Sequence, residues 1–383
     1  MRLGTCIALE IVTGLVAISA TSLGVAVAVD RLQPEGDAPV EVRAAMAPAA
    51  VSPPAAEPAR VAVAPAAIDA AAPDPVVAPP VPEPAPVMSG AVTEFANFGP
   101  DAPLLDPVRT GTLKRVKFNR GGSSLSLRLE FDNGARAAFK PEQTFLQSNP
   151  RREIAAYRID RLLGIGRVPP AIGRSFTLAE LEAAVDPSQR GSTPRLKKEA
   201  VARRGVVKGE ASWWIPTISD TYIGDDRIDS TDAIVQWRRW LKAGATIPAG
   251  KEDVCAQLST MTAFDFVIDN IDRWTGNNAK TSEDGKLLYF MDNTMAFSRN
   301  KKANHKNQLY LERVQKFSRR LIARLRVLEE GEIREALEPE AAPFDRLLTD
   351  PEIAAMLGRR DRLLEYVDGL IAKHGEDKVL VFP

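Results

Sequence analysis

The chain has 383 residues, and its 50 lysines and arginines are balanced by 50 aspartates and glutamates. Because this balance gives no overall attraction for a phosphate backbone, we expect no nucleic-acid partner. The two cysteines, Cys6 and Cys255, do not make a disulfide framework, and two histidines leave little room for a zinc site or a histidine base. Any catalysis must therefore depend on carboxylates.

The N-terminal part of the chain lacks the pattern of a folded core. Residues 11–29 are apolar and just long enough to span a bilayer, while Ala26-Val27-Ala28 resembles a small-residue cleavage site. Residues 32–87 are rich in Ala, Pro and Val without apolar periodicity, which favours an extended spacer. We expect the protein to be membrane-anchored or exported into the cell envelope. The predicted divisions are a signal peptide or membrane anchor at 1–31, a disordered Ala/Pro-rich linker at 32–91, and one folded domain at 92–383.

The folded domain opens with three predicted strands. Residues 113–118 form the first, and the apolar residues between 125 and 131 alternate with polar ones, as in a half-buried strand. Asp132-Asn133-Gly134 is a strong hairpin signal. The third strand, residues 135–139, leads directly to Lys140.

A glycine-containing loop joins the first two strands at Gly121, Gly122 and Ser123. Glycine lets backbone N–H groups approach a phosphate closely, and a lysine such as Lys140 can contact the α- and β-phosphates of a nucleotide. The same residues also fit an ordinary meander with a Gly-rich turn and a solvated lysine. We treat them as candidate nucleotide-binding residues.

A helix is predicted next, with Ser148 or Asn149 as its cap, Pro150 in its first turn and Gly164 at its end. Glu153 lies in the first turn. A helical glutamate soon after a strand lysine is the pair that positions phosphates in kinases. A first-turn glutamate also interacts favourably with the helix dipole, so both interpretations stay open.

The most informative segment is residues 264–297, FDFVIDNIDRWTGNNAKTSEDGKLLYFMDNTMAF. Asp272 and Asn277 have the spacing of the base and the metal-binding amide in a kinase catalytic loop. Asp292 follows a predicted apolar strand at residues 287–291. These oxygen ligands suit Mg²⁺ or Mn²⁺ bound to a nucleotide, with Asp272 as the base. The alternative is a surface ion pair and a plain loop.

Two further segments are expected to support this site. Apolar residues at helical spacing predict a helix over residues 253–270, in which Asp265 and Asn270 could brace the catalytic loop. Residues 213–216 could contact an adenine or could pack into the core.

Three stretches together resemble the Four-jointed and Golgi casein-kinase-like secretory kinases. They are REIAAYRIDRLLGIGRVPPAIGR, then FDFVIDNIDR with the later MDN…AF, and the final LTDPEIAAMLGRRDRLLEYVDGLIAKHGEDKVLVF. The resemblance covers residues 111–382. It implies an α+β, atypical protein-kinase-like fold of two lobes, with a small β-rich N-lobe and a mostly helical C-lobe.

The resemblance also implies roles for individual residues. Lys140 corresponds to the lysine that contacts phosphate, and Glu153 to its partner, which in this family can also face the metal. Asp272 corresponds to the catalytic aspartate and Asp292 to the metal-binding aspartate. The implied activity is transfer of the γ-phosphoryl of ATP, with Mn²⁺ or Mg²⁺, to a hydroxyl of a protein Ser/Thr or of a sugar.

Some residues depart from the family pattern. Trp274 stands where many secretory kinases have histidine, and Asn277 resembles the Four-jointed branch. The sequence has no Asn-x-Ser/Thr site for glycosylation, so we expect a bacterial relative with an envelope anchor. Two alternatives to an active kinase are a catalytically inactive nucleotide-binding scaffold in the cell envelope and a structural envelope protein without nucleotide.

Overall fold

The computed structural model describes residues 93–119, 122–275, 278–339 and 341–383. The predicted anchor or signal peptide and the whole of the predicted linker lie outside these ranges, as do Gly121 and Asn277, so the predictions made for them stay predictions. Within the described part of the chain, no helix is both long enough and apolar enough to cross a membrane.

A six-stranded antiparallel sheet contains the three predicted strands. It follows a short hairpin, β1 (Glu94–Phe95) with β2 (Gly99–Pro100), and the helix α1 (Asp101–Thr110). The sheet strands are β3 (Leu113–Phe118), β4 (Leu127–Phe131), β5 (Arg136–Pro141), β6 (Ala171–Thr177), β7 (Ala202–Arg203) and β8 (Val206–Trp213). Their order is β3-β4-β5-β8-β6, and β7 pairs with β8. The alternating apolar residues of β4 are buried, as their pattern predicts.

Helix α2 (Pro150–Leu162) packs against β6 and β8. The Asn149 side chain accepts a hydrogen bond from the backbone N–H of Arg151 at 3.2 Å, and Pro150 occupies the first turn. The chain then reverses at Gly164, whose φ of +72° is readily available to glycine. This helix therefore begins and ends at the predicted signals.

The rest of the chain is mostly helical. Short strands lie between the helices. A three-stranded sheet contains β9 (Ser219–Asp220), β12 (Lys280–Thr281) and β13 (Leu288–Tyr289), and a pair contains β10 (Tyr222–Ile223) and β11 (Asp226–Arg227). The helices are α3 (Leu178–Ala183), α4 (Thr193–Glu199), α5 (Thr231–Trp240), α6 (Glu252–Ile268), α7 (His305–Leu311), α8 (Arg319–Val327), α9 (Glu330–Leu337), α10 (Asp350–His374) and α11 (Glu376–Val379).

Helix α6 lies at the centre of this helical part, and the long helix α10 packs against it. Most of its residues from Leu258 onward are buried. It ends at Asp269, which adopts a left-handed conformation with φ +56° and ψ +49°. The turn made there leads the chain into the segment that contains Asp272.

The predicted apolar strand at 287–291 is shorter than expected. Only Leu288 and Tyr289 form a ladder, with β12, and the backbone N–H of Phe290 instead donates to the carbonyl of Arg167 at 3.0 Å. The chain therefore leaves the small sheet and follows the loop after α2 before it reaches Asp292. The sheet and the helical part together confirm the predicted α+β architecture.

Candidate active site

A cavity of about 700 Å³ is lined by both the sheet and the loops that follow α6. Lys140 and Glu210 line it from the sheet and Glu153 from α2, while Asn278 and Asp292 line it from the loops. Its volume lies within the usual range for small-molecule sites. The structure therefore brings residues from distant parts of the sequence to one cavity.

The predicted glycine loop borders this cavity at Gly122. Ser124 and Ser126 also line it, whereas Ser123 is exposed. Gly121 lies outside the described residues, so its predicted contact with phosphate stays a prediction, as does that of Ser123.

Lys140 is the central cation of the site. It stands near the end of β5, and its Nζ lies 2.5 Å from Oδ1 of Asp292. Burial disfavours the charged ammonium, but the carboxylates of Asp292, Glu153 and Glu210 outweigh this effect and hold the pKa of Lys140 above its ordinary value. The lysine is therefore charged and available to a phosphate.

Glu153 is fixed by hydrogen bonds from Asn293. Its Oε2 accepts from the backbone N–H of Asn293 at 2.6 Å, and its Oε1 accepts from Nδ2 of the same residue at 2.9 Å. Burial raises the pKa of Glu153, and the charge of Lys140 opposes that rise. Lys140 and Glu153 therefore interact through their charges, whereas the direct ion pair of Lys140 is with Asp292.

Arg273 braces the loop from a fully buried position. Its Nε lies 3.0 Å from Oδ2 of Asp265 and its Nη2 lies 3.3 Å from Oδ1, so the carboxylate is held by two nitrogens. The same guanidinium donates to Oδ1 of Asn293 at 2.9 Å and to the carbonyl of Met291. Asn270 also donates to Oδ1 of Asn293, at 3.0 Å. These contacts join the loop of Asp272 to the loop of Asp292.

Asp272 is half-buried, and its hydrogen-bond partner Asn278 lines the cavity. Its backbone N–H donates to Oδ1 of Asn270 at 3.1 Å, and its Oδ2 accepts from Nδ2 of Asn278 at 2.8 Å. Burial and the nearby Asp292 raise the pKa of Asp272. A carboxylate held in one orientation with a raised pKa suits a general base.

Asp292 adopts a left-handed backbone conformation, with φ +59°. Burial opposes ionisation of this carboxyl, but Lys140 outweighs it and holds the pKa of Asp292 below its ordinary value. A non-glycine residue in this region of φ is strained, and such strain concentrates at functional sites. Asp292 is therefore ionised, and its backbone is held in a conformation that a non-glycine residue seldom adopts.

Glu210 is a site residue that the sequence analysis missed. It lies opposite Lys140 on the neighbouring strand β8, is buried, and accepts a hydrogen bond from Oγ of Ser212 at 2.7 Å. Burial and the charge of Glu153 raise the pKa of Glu210 to about 8. The available signal was one glutamate within an otherwise mostly apolar strand, but only the strand register places it beside Lys140.

The carboxylates of the site fit a divalent cation. Asp292, Glu153 and Glu210 surround one ammonium, so the ionised cluster carries excess negative charge. Among the described residues no three His, Cys, Asp or Glu side chains form a ready-made metal cluster. Mg²⁺ and similar ions commonly take only one or two protein carboxylates and complete their shell with substrate phosphates and water. Asp292 and Glu153 fit that role, while the predicted ligand Asn277 lies outside the described residues.

One end of the cavity is apolar. Trp213, Ile215, Pro216 and Ile218 line it. The Trp213 ring also packs on Phe98, with ring centroids 4.8 Å apart. This segment therefore lines the cavity and packs into an aromatic cluster, and its contact with adenine stays a prediction.

Trp274 is buried and stacks on Tyr310, with ring centroids 4.0 Å apart and an angle of 7° between the rings. Trp237 lies beside both rings. The tryptophan that departs from the family pattern therefore packs into an aromatic cluster and is not among the described residues that line the cavity.

Comparison with curated proteins identifies related kinases and a pseudokinase. The chain is 24% identical over 316 residues to the pseudokinase FAM20A of Homo sapiens, which covers 68% of this chain and 56% of that protein. It is 24% identical over 314 residues to the glycosaminoglycan xylosylkinase of Homo sapiens, which covers 70% of this chain and 75% of that protein. A stretch of 90 residues is 33% identical to the extracellular serine/threonine protein kinase FAM20C of Homo sapiens, covering 20% of this chain and 15% of that protein. The chain thus spans just over half the length of FAM20A. No protein-family model matches the sequence.

Solved structures show the same fold. The Golgi casein kinase with Mn and ADP bound matches with a TM-score of 0.56 and 18% identity, covering 73% of this chain and 78% of that one. Hydra Fam20 with sugar matches with a TM-score of 0.53 and 20% identity, covering 72% of this chain and 90% of that one.

The fold is therefore that of an atypical, two-lobed kinase. The chain is a relative of the Golgi casein-kinase-like kinases, and the resemblance predicted from its sequence is confirmed. The similarity to the Four-jointed branch and the bacterial origin stay predictions.

Proposed function

We propose that this protein is a metal-dependent kinase that transfers the γ-phosphoryl of ATP to a hydroxyl group. One observation carries the proposal: Lys140, Glu153 and Asp292, which lie far apart in the sequence, line one cavity, and Asp272 accepts a hydrogen bond from Asn278, which also lines it. Relatives with kinase names and the fold of a protein solved with Mn and ADP support it.

Each residue has a defined part in this mechanism. The ammonium of Lys140 binds the phosphates, and Asp292 and Glu153, with Asn277 from the predicted set, would hold Mn²⁺ or Mg²⁺. When bound, the cation neutralises negative charge on the phosphates. Asp272 orients the acceptor hydroxyl and takes its proton, while the acceptor oxygen bonds to the γ-phosphorus and the bond to ADP breaks.

The acceptor belongs to one of two classes. One relative is named as a glycosaminoglycan xylosylkinase and another as a serine/threonine protein kinase, so a sugar hydroxyl and a protein Ser/Thr hydroxyl are both candidates. The fold alone does not select between them. Residues 11–29 would anchor the protein to a membrane or direct its export, and we therefore propose an acceptor in the cell envelope.

A catalytically inactive, nucleotide-binding scaffold is the second candidate. The relation to a pseudokinase favours it. It predicts that ATP binds without turnover.

The two candidates are separated by turnover in the Asp272→Asn variant. The kinase proposal predicts metal-dependent ADP release with a xylose-containing glycan or with serine peptides, lost in Asp272→Asn while ATP still binds. Asp225→Asn, at an exposed aspartate, is the matched control and should keep full activity. ATP binding without turnover against either acceptor class in the unmodified protein would favour the scaffold.

A further inference from the structure

A second cavity lies in the helical part of the protein, and it shares no lining residue with the cavity of Lys140. Its volume is about 460 Å³. It is bordered by the end of α5 and by the segment around and after the end of α7. The lining residues are Arg238, Lys242, Leu309, Glu312, Arg313 and Gln315.

This cavity is positively charged. Arg238, Lys242 and Arg313 contribute three cations, and Glu312 is the only carboxylate among the described residues that line it. The Glu312 carboxylate accepts a hydrogen bond from Gln308 at 2.8 Å. Arg238 and Lys242 are exposed, and neither forms an ion pair with any residue in the described ranges. The lining residues therefore carry a net formal charge of +2.

Arg313 supplies a hydrogen-bond donor with no acceptor. Its Nη1 is buried and has no hydrogen-bond partner among the residues that the structure describes. The guanidinium carbon lies 4.3 Å from the centroid of the Tyr310 ring. A buried donor without a partner is costly, and Arg313 itself lines the cavity, so its guanidinium can donate to an anion there.

We propose that this cavity binds the phosphate dianion of a small, soluble phosphate monoester. The charge of a dianion matches the lining, whereas a single carboxylate would leave one positive charge unbalanced. Arginine forms paired hydrogen bonds to phosphate oxygens, and two of the three cations are arginines. The cavity is larger than one phosphate, and the partly exposed Leu309 offers an apolar contact for the organic part of the ester.

The site lies close to the catalytic loop. The Tyr310 ring stacks on Trp274, with centroids 4.0 Å apart, and the Arg313 guanidinium lies 4.3 Å from the centroid of the same ring. Trp274 is two residues from Asp272, so Tyr310 and Trp274 connect Arg313 to the segment that contains Asp272. Binding itself does not rest on the proposed kinase function, because the two cavities share no residue.

The direct test is calorimetric titration of the full chain with sodium phosphate and with glycerol 3-phosphate, at constant ionic strength. We expect saturable binding of both, weakened about tenfold or more in Arg313→Gln and in the double variant Arg238→Gln, Lys242→Gln. The double variant alters only exposed side chains, so it tests the site even if Arg313→Gln folds poorly. Lys198→Gln, at an exposed lysine far along the chain, is the matched control and should bind normally.

A substitution of Lys140, which lines the first cavity, identifies the cavity in which phosphate binds. Lys140→Met should retain binding of both ligands if they occupy the second cavity. Loss of binding in Lys140→Met alone, equal binding by all variants, or no saturation of the unmodified chain would each overturn the proposal. Binding of inorganic phosphate without glycerol 3-phosphate would overturn the assignment of an ester.

Discussion

Nζ of Lys140 lies 2.5 Å from Oδ1 of Asp292, although 152 residues separate them along the chain. The lysine comes from the sheet and the aspartate from a loop of the helical part. Their contact joins the two parts of the fold at the cavity where nucleotide is expected to bind. Substitutions of the residues around this ion pair test how the cavity is held together.

Replacing Arg273 by lysine should destabilise the protein strongly. Lysine cannot reproduce the two-nitrogen contact with Asp265, and the buried carboxylate would lose most of its compensation. Removing one member of a buried ion pair typically costs about 3–5 kcal/mol. Chemical denaturation of Arg273→Lys should show a loss approaching that range, whereas Arg299→Lys, at an exposed arginine, should change stability little. Equal stability of the two variants would contradict the bracing role of Arg273.

Replacing Asn293 by aspartate tests the hydrogen bonds to Glu153. The change keeps the size of the side chain but puts a carboxylate where Nδ2 donates to Oε1 of Glu153. We expect a loss of about 2–4 kcal/mol of unfolding free energy at neutral pH, since a buried donor is lost and two acceptors are left facing each other. Asn300→Asp, at an exposed asparagine, is the control. If Asn293→Asp were as stable as the control, Glu153 would not depend on Asn293.

Glu210 predicts a specific dependence of stability on pH. Its pKa is about 8 in the folded protein against an ordinary value of 4.5, so folding favours its protonated form. The contribution of Glu210 to the free energy of unfolding is fully present below pH 4.5 and is lost as pH rises towards 8, because its carboxyl ionises more readily in the unfolded chain. In the absence of metal and nucleotide, Glu210→Gln should flatten the decline in stability between these pH values. Glu335→Gln, at an exposed glutamate, should keep the full decline, and identical pH profiles would refute the buried state of Glu210.

Trp274 should support the catalytic loop by packing. Trp274→Ala removes the stack with Tyr310 and should cost about 3–5 kcal/mol, as is typical for a buried tryptophan. Trp274→Phe keeps an aromatic ring in the stack and should retain most of the stability and nucleotide binding. Thermal unfolding of both variants measures this. A Trp274→Ala protein as stable as Trp274→Phe would show that the stack contributes little.

The sequence could predict the residues that occur in recognisable local patterns. Lys140 follows a strand that a hairpin signal defines, and Asp272 and Asp292 stand in short motifs with fixed spacing. Glu153 follows a helix cap that the structure contains as predicted. Each of these residues is recognised from its near neighbours alone, so a single sequence is sufficient.

The contacts between distant segments could not be predicted in this way. Glu210 faces Lys140 only because β8 pairs with β5 in one register, and a shift of one residue would turn its side chain to the other face. Asn293 joins Glu153, Asn270 and Arg273 through its amide, and no local pattern distinguishes such an asparagine. The predicted strand before Asp292 was too long because its last residues are held by the loop after α2.

Metal-dependent stabilisation by nucleotide tests the central claim most directly. Thermal unfolding should be measured with ATP or ADP, each with Mn²⁺, Mg²⁺ or no metal, on the unmodified chain and on Asp292→Ala. A ligand that binds only the folded state adds about 2.7 kcal/mol of stability at a hundred times its dissociation constant. We predict a rise in the midpoint that requires both nucleotide and metal and is absent in Asp292→Ala. No rise with any combination, or the same rise in Asp292→Ala, would contradict the account.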